Sequence, residues 1–279
     1  MALQIRFPGG KPKTLTLSYD DGVDSDIRLI EILNKYGLKA TFNVNSGIMA
    51  EEGAPASEPG TYRRMSRSEM LKLYTDSGHE VAVHTLTHPF TNLIAPQEIL
   101  HEVIEDRKNL EEMFGGIIRG MAYPMGTPSY TKEVDEILQA SGIAYARTTE
   151  STESFFLPDN WLKLPATCHH NNPRLMELAE QFLNMWYGGT MFYLWGHSYE
   201  FVTNNNWEVI EEFAKKMSGH DDIWYATNIE IYDYVKAFRS LQMNAECTLV
   251  YNPTVIDVWG AARDGKIIHV PAGQMVELK

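Results

Sequence analysis

The chain has little cysteine, no surplus of basic charge and no long apolar run, and each shortage closes off a class of protein. Its 279 residues contain two cysteines, Cys168 and Cys247, too few and too far apart for a dense disulfide framework, so reduced thiols are expected. Lys and Arg number 24 against 37 Asp and Glu, a formal charge of -13. Without a basic cluster, neither a nucleic-acid backbone nor an anionic membrane surface is an expected partner. No run approaches membrane-spanning length, and the opening MALQIRFPGGKPKTLTL lacks the apolar core behind a basic start that marks a secretory leader. A cytoplasmic protein is expected on that ground. The sequence also holds no low-complexity segment, convincing internal repeat or domain linker.

What is there is a globular composition, 44% hydrophobic, in which strand and helix patterns alternate. TLTLSY, KATFNVN, HEVAVH, GIIRGMAYPMG, IAYAR and TMFYLWGH read as strands. Between them lie helix patterns bounded by capping residues and glycines: SDIRLIEILNKYG, SRSEMLKLYTDSG, PQEILHEVIEDRKNLEEMFG, SYTKEVDEILQASG and PRLMELAEQFLNMWYGG, with NNWEVIEEFAKKMSG beyond the last strand. This alternation predicts an α/β fold with a mainly parallel sheet, open or closed into a barrel. A long Gly/Pro-rich loop spans Ser46 to Met65. After the helix in ATNIEIYDYVKAFRS, the texture shifts to short antiparallel strands. We therefore divide the chain into a catalytic unit, 1–244, and an accessory β segment, 245–279, serving as a β layer, an oligomer contact or a cover over the barrel bottom.

In parallel α/β folds ligands gather at the carboxyl ends of the strands, and five of these ends carry reactive groups. They are Asp20 with Asp21, His84 with His88, Tyr123 with Pro124 and Gly126, Asp159 with Trp161 in the loop after IAYAR, and His197. HTLTH offers two imidazoles that a turn can converge, and two imidazoles with a carboxylate suit a divalent metal with a position left for water or substrate. By themselves the same histidines also read as capping or core residues. Asp20 and Asp21 leave the strand on opposite sides, so one can bind metal while the other takes a proton; both can also serve as helix caps. His197, next to apolar FYLW, is either a general acid or a buried structural histidine.

In this order the motifs resemble those of the polysaccharide deacetylase family, the NodB-homology or carbohydrate esterase 4 group, over roughly Thr14 to Gly219. The resemblance implies a distorted (β/α)7-type barrel. SYDDG is similar to the motif that supplies a general base, here Asp20, and a metal ligand, here Asp21. HTLTH matches the motif of the other two ligands, His84 and His88. YLWGH is similar to the motif whose leucine lines an acetyl-methyl pocket and whose histidine is the acid, which places those roles on Leu194 and His197. DNW, Asp159 to Trp161, resembles the motif that walls the groove. The third motif departs: where the family has Arg-Pro-Pro-Tyr-Gly this chain has AYPMG, so Ala122 stands in place of the arginine and Arg119 is three residues too early. Tyr123 belongs to this motif, and the oxyanion N–H falls at Met125, a role independent of side-chain type.

The implied activity is metal-dependent removal of acetyl groups from an acetylated sugar or short oligosaccharide, with one divalent ion. Zinc is favoured by the donor set over cobalt, nickel, manganese or iron. A related hydrolase of cyclic or other small amides and a noncatalytic carbohydrate-binding protein on the same scaffold are the alternatives.

Overall fold

A computed structural model describes residues 3–278 of the chain. After a short strand β1 (Gln4–Arg6), β2 (Lys13–Asp20) is buried along its whole length. Its Leu15, Leu17 and Tyr19 join the main apolar core, while Thr14, Thr16, Ser18 and Asp20 face the other way. Those polar groups are satisfied inside the ring of strands: Thr14 Oγ1 donates to the Trp224 carbonyl and Thr16 Oγ1 to Asn228 Oδ1, each at 2.8 Å, and Asn43 Nδ2 donates to Ser18 Oγ at 2.7 Å. A strand buried on both faces normally reads as continuously apolar; the Thr/Leu alternation records a polar interior held by hydrogen bonds.

The following units repeat the strand-helix alternation: α1 (Asp26–Lys35), β3 (Ala40–Val44), α2 (Arg67–Tyr74), β4 (Glu80–Val83), α3 (Pro96–Phe114), β5 (Gly120–Ala122), α4 (Lys132–Ala140) and β6 (Tyr145–Ser151). Helix α1 buries Leu29, Ile30, Ile32 and Leu33 and leaves Ile27 half exposed. Each fully buried Leu or Ile contributes about 1.5–3 kcal/mol, so this face holds the helix to the sheet better than its propensity could. Ser66 caps α2 in a reciprocal pair with Glu69, and Pro96 opens α3, as expected from the sequence.

Next come β7 (Leu164–Ala166), β8 (Cys168–His169), α5 (Leu175–Leu183), β9 (Thr190–Gly196), α6 (Ser198–Thr203), α7 (Glu208–Met217), β10 (Ile223–Tyr225) and α8 (Asn228–Arg239). The sheet runs β7-β6-β5-β4-β3-β2-β9-β8, with β10 also on β2, and every pairing in it is parallel. Its two ends are successive stretches of one extended segment: Leu164 and Ala166 pair with β6, Cys168 and His169 with β9, and the Thr167 N–H donates to Tyr193 O at 2.8 Å. The sheet thus curls round onto residues 164–169, giving the distorted α/β barrel that the sequence motifs imply.

The tail forms β11 (Gln242–Met243), β12 (Leu249–Tyr251), β13 (Val258–Ala261), β14 (Ile267–Val270) and β15 (Met275–Glu277). These make two small antiparallel sheets, β11-β12-β15 and β1-β13-β14. The tail therefore pairs with the first strand of the chain. Val250, Val258, Ile268 and Val270 pack with Phe7, Met191 and α8 residues Ile231 and Tyr234, at the end where β2 and β9 begin. That end lies opposite the reactive strand ends.

Candidate active site

Asp20 ends β2, and the chain then turns through Asp21 at φ 83° and Gly22 at φ 62°. A positive φ is costly for a residue with a Cβ, and Asp21, Thr85, His88 and Met125 all adopt one. Such strain gathers where the surrounding structure dictates an orientation. Asp21, His88 and Met125 line a cleft of about 240 Å³ together with Asp20, His84, Tyr123, Trp195, His197 and Tyr199.

Asp21, His84 and His88 bring one carboxylate oxygen and two imidazole nitrogens within 4.8 Å of one another. The His84 Nδ1 lies 2.9 Å from the Ala122 carbonyl oxygen, which can only accept, so Nδ1 carries the proton and Nε2 keeps its lone pair. Burial pushes the His84 imidazole down to about 4, so it is neutral at physiological pH, the form that binds a cation. The His88 Nε2 lies 3.8 Å from Asp21 Oδ1. The donor set and the His84 tautomer fit a divalent ion.

The ligand loop is gripped from behind by α3. Asp106 Oδ2 accepts from the His84 N–H at 3.0 Å and its Oδ1 from the Ser46 N–H at 2.7 Å. One turn away, Glu102 accepts from the Thr87 N–H and hydroxyl, each at 2.7 Å. The Ser46–Met65 loop contributes Arg64, which donates to Asp21 Oδ1 at 2.9 Å, to the Asp21 carbonyl at 2.7 Å and to Asn45 Oδ1 at 2.8 Å. The same loop sends Tyr62 to stack on Tyr199, with ring centroids 4.1 Å apart, beside the cleft.

Asp20 is held by Arg147, a fully buried side chain on β6 whose Nη2 donates to Asp20 Oδ2. Burial alone would raise the Asp20 carboxyl, but the positive field of Arg147, helped by His84 and His197, pulls it down to about 2. Arg147 and Ala122 are register partners on β6 and β5, so the guanidinium reaches in from the strand beside the one where the family motif would have placed it. Arg119 points elsewhere and pairs with Asp233 of α8 at 2.6 Å. Asn43 also donates to Asp20 Oδ1, at 2.8 Å.

His197 follows β9 with Nε2 3.7 Å from Asp20 Oδ2 and Nδ1 3.6 Å from Glu200 Oε2. Burial lowers its proton affinity, but Glu200, Asp20 and Asp21 outweigh this and raise it. Met125 and Tyr123 line the cleft, and the Tyr123 hydroxyl donates to the Leu162 carbonyl at 2.8 Å.

Three expected site residues fall elsewhere. Leu194 is buried in the core between sheet and helices, paired in register with Leu17. Strand alternation turns Leu194 outward and sends Trp195 to the cleft, where Arg147 lies 4.4 Å from its ring. Trp161 is buried edge-on against Tyr232 in the second core, and Asp159 is exposed; neither lines the cleft. Trp195, Tyr199 and Tyr62 stand where the DNW segment was expected. The sequence reading also missed Arg147, Glu200 and Arg64. A charged residue in the otherwise apolar IAYAR was the one available signal for Arg147.

The sequence signature of the polysaccharide deacetylase family matches residues 8–146. Chitin deacetylase 1 of Cryptococcus neoformans is 31% identical over 100 residues, 36% of this chain. The peptidoglycan-N-acetylglucosamine deacetylase PgdA of Listeria monocytogenes is 24% identical over 140 residues, 50% of this chain. These matches span only 18% and 26% of the two relatives' lengths. A family 4 carbohydrate esterase from Streptomyces lividans, solved with acetate, superposes with a TM-score of 0.52 at 16% identity, covering 76% of this chain and 91% of that one. The last likeness is one of fold. Among the described residues, no helix is long and apolar enough to cross a membrane.

Proposed function

Because the chain belongs to the polysaccharide deacetylase family, we propose that it is a metal-dependent hydrolase removing acetyl groups from an acetylated sugar or short oligosaccharide. The observation that carries this reading is the meeting in one cleft of three groups able to hold a metal, Asp21, His84 and His88, with a further carboxylate, Asp20, and a further imidazole, His197.

Asp21, His84 and His88 would hold one divalent ion, with zinc favoured by the two nitrogens and one oxygen. When bound, such an ion polarises the acetyl carbonyl and makes water more acidic. Asp20, kept ionised by Arg147, accepts a proton from the water that attacks the acetyl carbon. The Met125 N–H stabilises the negative charge that gathers on the carbonyl oxygen. His197 gives its Nε2 proton to the departing nitrogen or oxygen as its bond to the acetyl carbon breaks, leaving acetate and a free amine or hydroxyl.

The test is to load the purified protein with zinc and assay acetate release from mono-, di- and tetrasaccharides bearing N- or O-acetyl groups, with cyclic amides alongside. One metal per chain by elemental analysis and acetate release are expected. Asp20→Asn should keep its metal and lose at least about 100-fold in turnover, whereas Asp21→Asn should lose both. Ring opening without acetate, or metal retained in His84→Ala and His88→Ala, would overturn the reading.

A further inference from the structure

Behind His197 lies a second group of histidines that the proposed chemistry does not use. Glu200 Oε2 has His170 Nε2 at 2.9 Å, His169 Nε2 at 3.1 Å and His197 Nδ1 at 3.6 Å. Nitrogens and oxygen of His169, His170 and Glu200 come as close together as those of the first triad, which raises a second metal site as an explanation. The tautomer of His169 argues against it. Its Nδ1 accepts the Asn171 backbone N–H at 3.1 Å, so Nδ1 is the unprotonated nitrogen and the proton of the neutral ring sits on Nε2. A protonated Nε2 cannot coordinate a cation, but it can donate to a carboxylate. This is the reverse of His84, whose Nδ1 faces a carbonyl and whose Nε2 is free.

His170 is fully enclosed. Its ring lies 4.1 Å from that of Phe201 and 5.8 Å from that of Tyr19, and burial brings it down to about 4, so it is neutral. It also requires Gly196: a Cβ there would sit 2.1 Å from His170 Nδ1. The glycine before His197 thus lets one imidazole lodge beneath the next.

We propose that His169 and His170 are positioning residues that fix the Glu200 carboxylate against His197 Nδ1 and thereby hold His197 with its other nitrogen aimed into the cleft as proton donor. The proposal rests on the reading of His197 as the acid. Burial would raise the Glu200 carboxyl, yet the surrounding imidazoles hold it far below the usual carboxylate range, so it stays an anion. The other titratable or charged groups facing His197 are Asp20 and Asp21 across the cleft and Tyr199 beside it. It is the Glu200 carboxylate that lies beside Nδ1, with Oε2 3.6 Å away.

Leaving-group chemistry tests this. An amine or sugar alkoxide needs a proton on departure, whereas 4-nitrophenolate does not. For zinc-loaded protein, His169→Ala should lower kcat on an N-acetylated sugar by about tenfold with KM unchanged, and leave 4-nitrophenyl acetate hydrolysis within about twofold of wild type. His169→Gln, whose amide can donate from nearly the same place, should recover most of the loss. Equal loss on both substrates, no recovery by Gln, or a second equivalent of zinc that His169→Ala abolishes would overturn the proposal. Nitrogen-15 NMR of the histidine rings decides the point even if no acetylated substrate is turned over, the outcome that would sink the functional reading instead. His169 protonated on Nε2, and a His197 Nδ1 proton that is lost or loosened in His169→Ala, are expected. A wild-type His197 without a proton on Nδ1, or one unaffected by the substitution, would overturn it.

Discussion

A guanidinium with no solvent exposure beside a nearly enclosed carboxylate is stable only as a pair, and Arg147 with Asp20 is such a pair. Arg147 donates to Asp20 through Nη2, rests over Trp195 and leaves Nε and Nη1 without hydrogen-bond partners among the described residues. Its worth therefore lies in the charge it neutralises. Arg147→Met should cost about 3–5 kcal/mol in urea unfolding, because Asp20 would be left as an uncompensated buried anion. Adding Asp20→Asn removes that anion, so the double variant should be more stable than the single one although it lacks both charges. Additive losses would show that Arg147 acts through packing alone. The position also shows what residue-by-residue reading can and cannot reach. Asp20, Asp21, His84 and His197 were legible because each stands at the end of a strand, and His88 because it lies four residues beyond His84 in the same loop. Arg147 was not, because its role depends on a neighbour across the sheet, Ala122, twenty-five places earlier in the chain.

Helix α3 presents Glu102 and Asp106, four residues apart and so on one face, to the loop carrying His84 and His88. Both are buried, which is unusual for carboxylates on an amphipathic helix, and each accepts from backbone N–H groups of the loops beside the cleft. Asp106→Asn leaves one acceptor where Ser46 and His84 supply two donors, so the loop should loosen while the helix persists. We expect zinc affinity to fall about 10- to 100-fold, as for other outer partners of metal ligands, with unchanged far-UV circular dichroism. Chelator competition measures this, and unaltered affinity would deny the loop its dependence on α3. At this scale the sequence was legible wherever a pattern is local. Capping residues, proline starts and glycine stops located the longer helices. Helix α6 escaped because six residues carry too little periodicity, and β1 because its partner β13 is about 250 residues away. The misplacement of Leu194 has a similar origin: it depends on which face of β9 looks inward, and that follows from the packing of β9 against β2.

For the molecule as a whole, buried titratable groups of two kinds pull stability in opposite directions with pH. Burial raises the carboxyls of Asp26, Glu80 and Asp106 to about 7, against ordinary values near 4, so each favours its protonated form in the fold. Their contribution is complete below the ordinary carboxylate values and is lost as pH rises through about 7. Burial lowers His79, His84 and His170 to about 4 from 6.5, so their contribution is complete above 6.5 and lost as pH falls through about 4. Three groups of each kind with shifts of similar size nearly cancel between pH 5 and 6.5. Above that the histidines have nothing more to add while the carboxyls go on ionising. The thermal midpoint of the metal-free protein, held so with a chelator, should therefore be almost level from pH 5 to 6.5 and fall between 6.5 and 8. Asp26 is the place to test the cause, since both its side-chain partners, the hydroxyls of Tyr74 and Ser198, can turn to receive a proton as readily as they give one. Asp26→Asn cannot ionise, so its midpoint should fall less over that range, and the gap between variant and wild type should narrow toward pH 8. A wild-type curve level through pH 8, or a variant falling as steeply as wild type, would place the pH dependence outside these buried carboxyls.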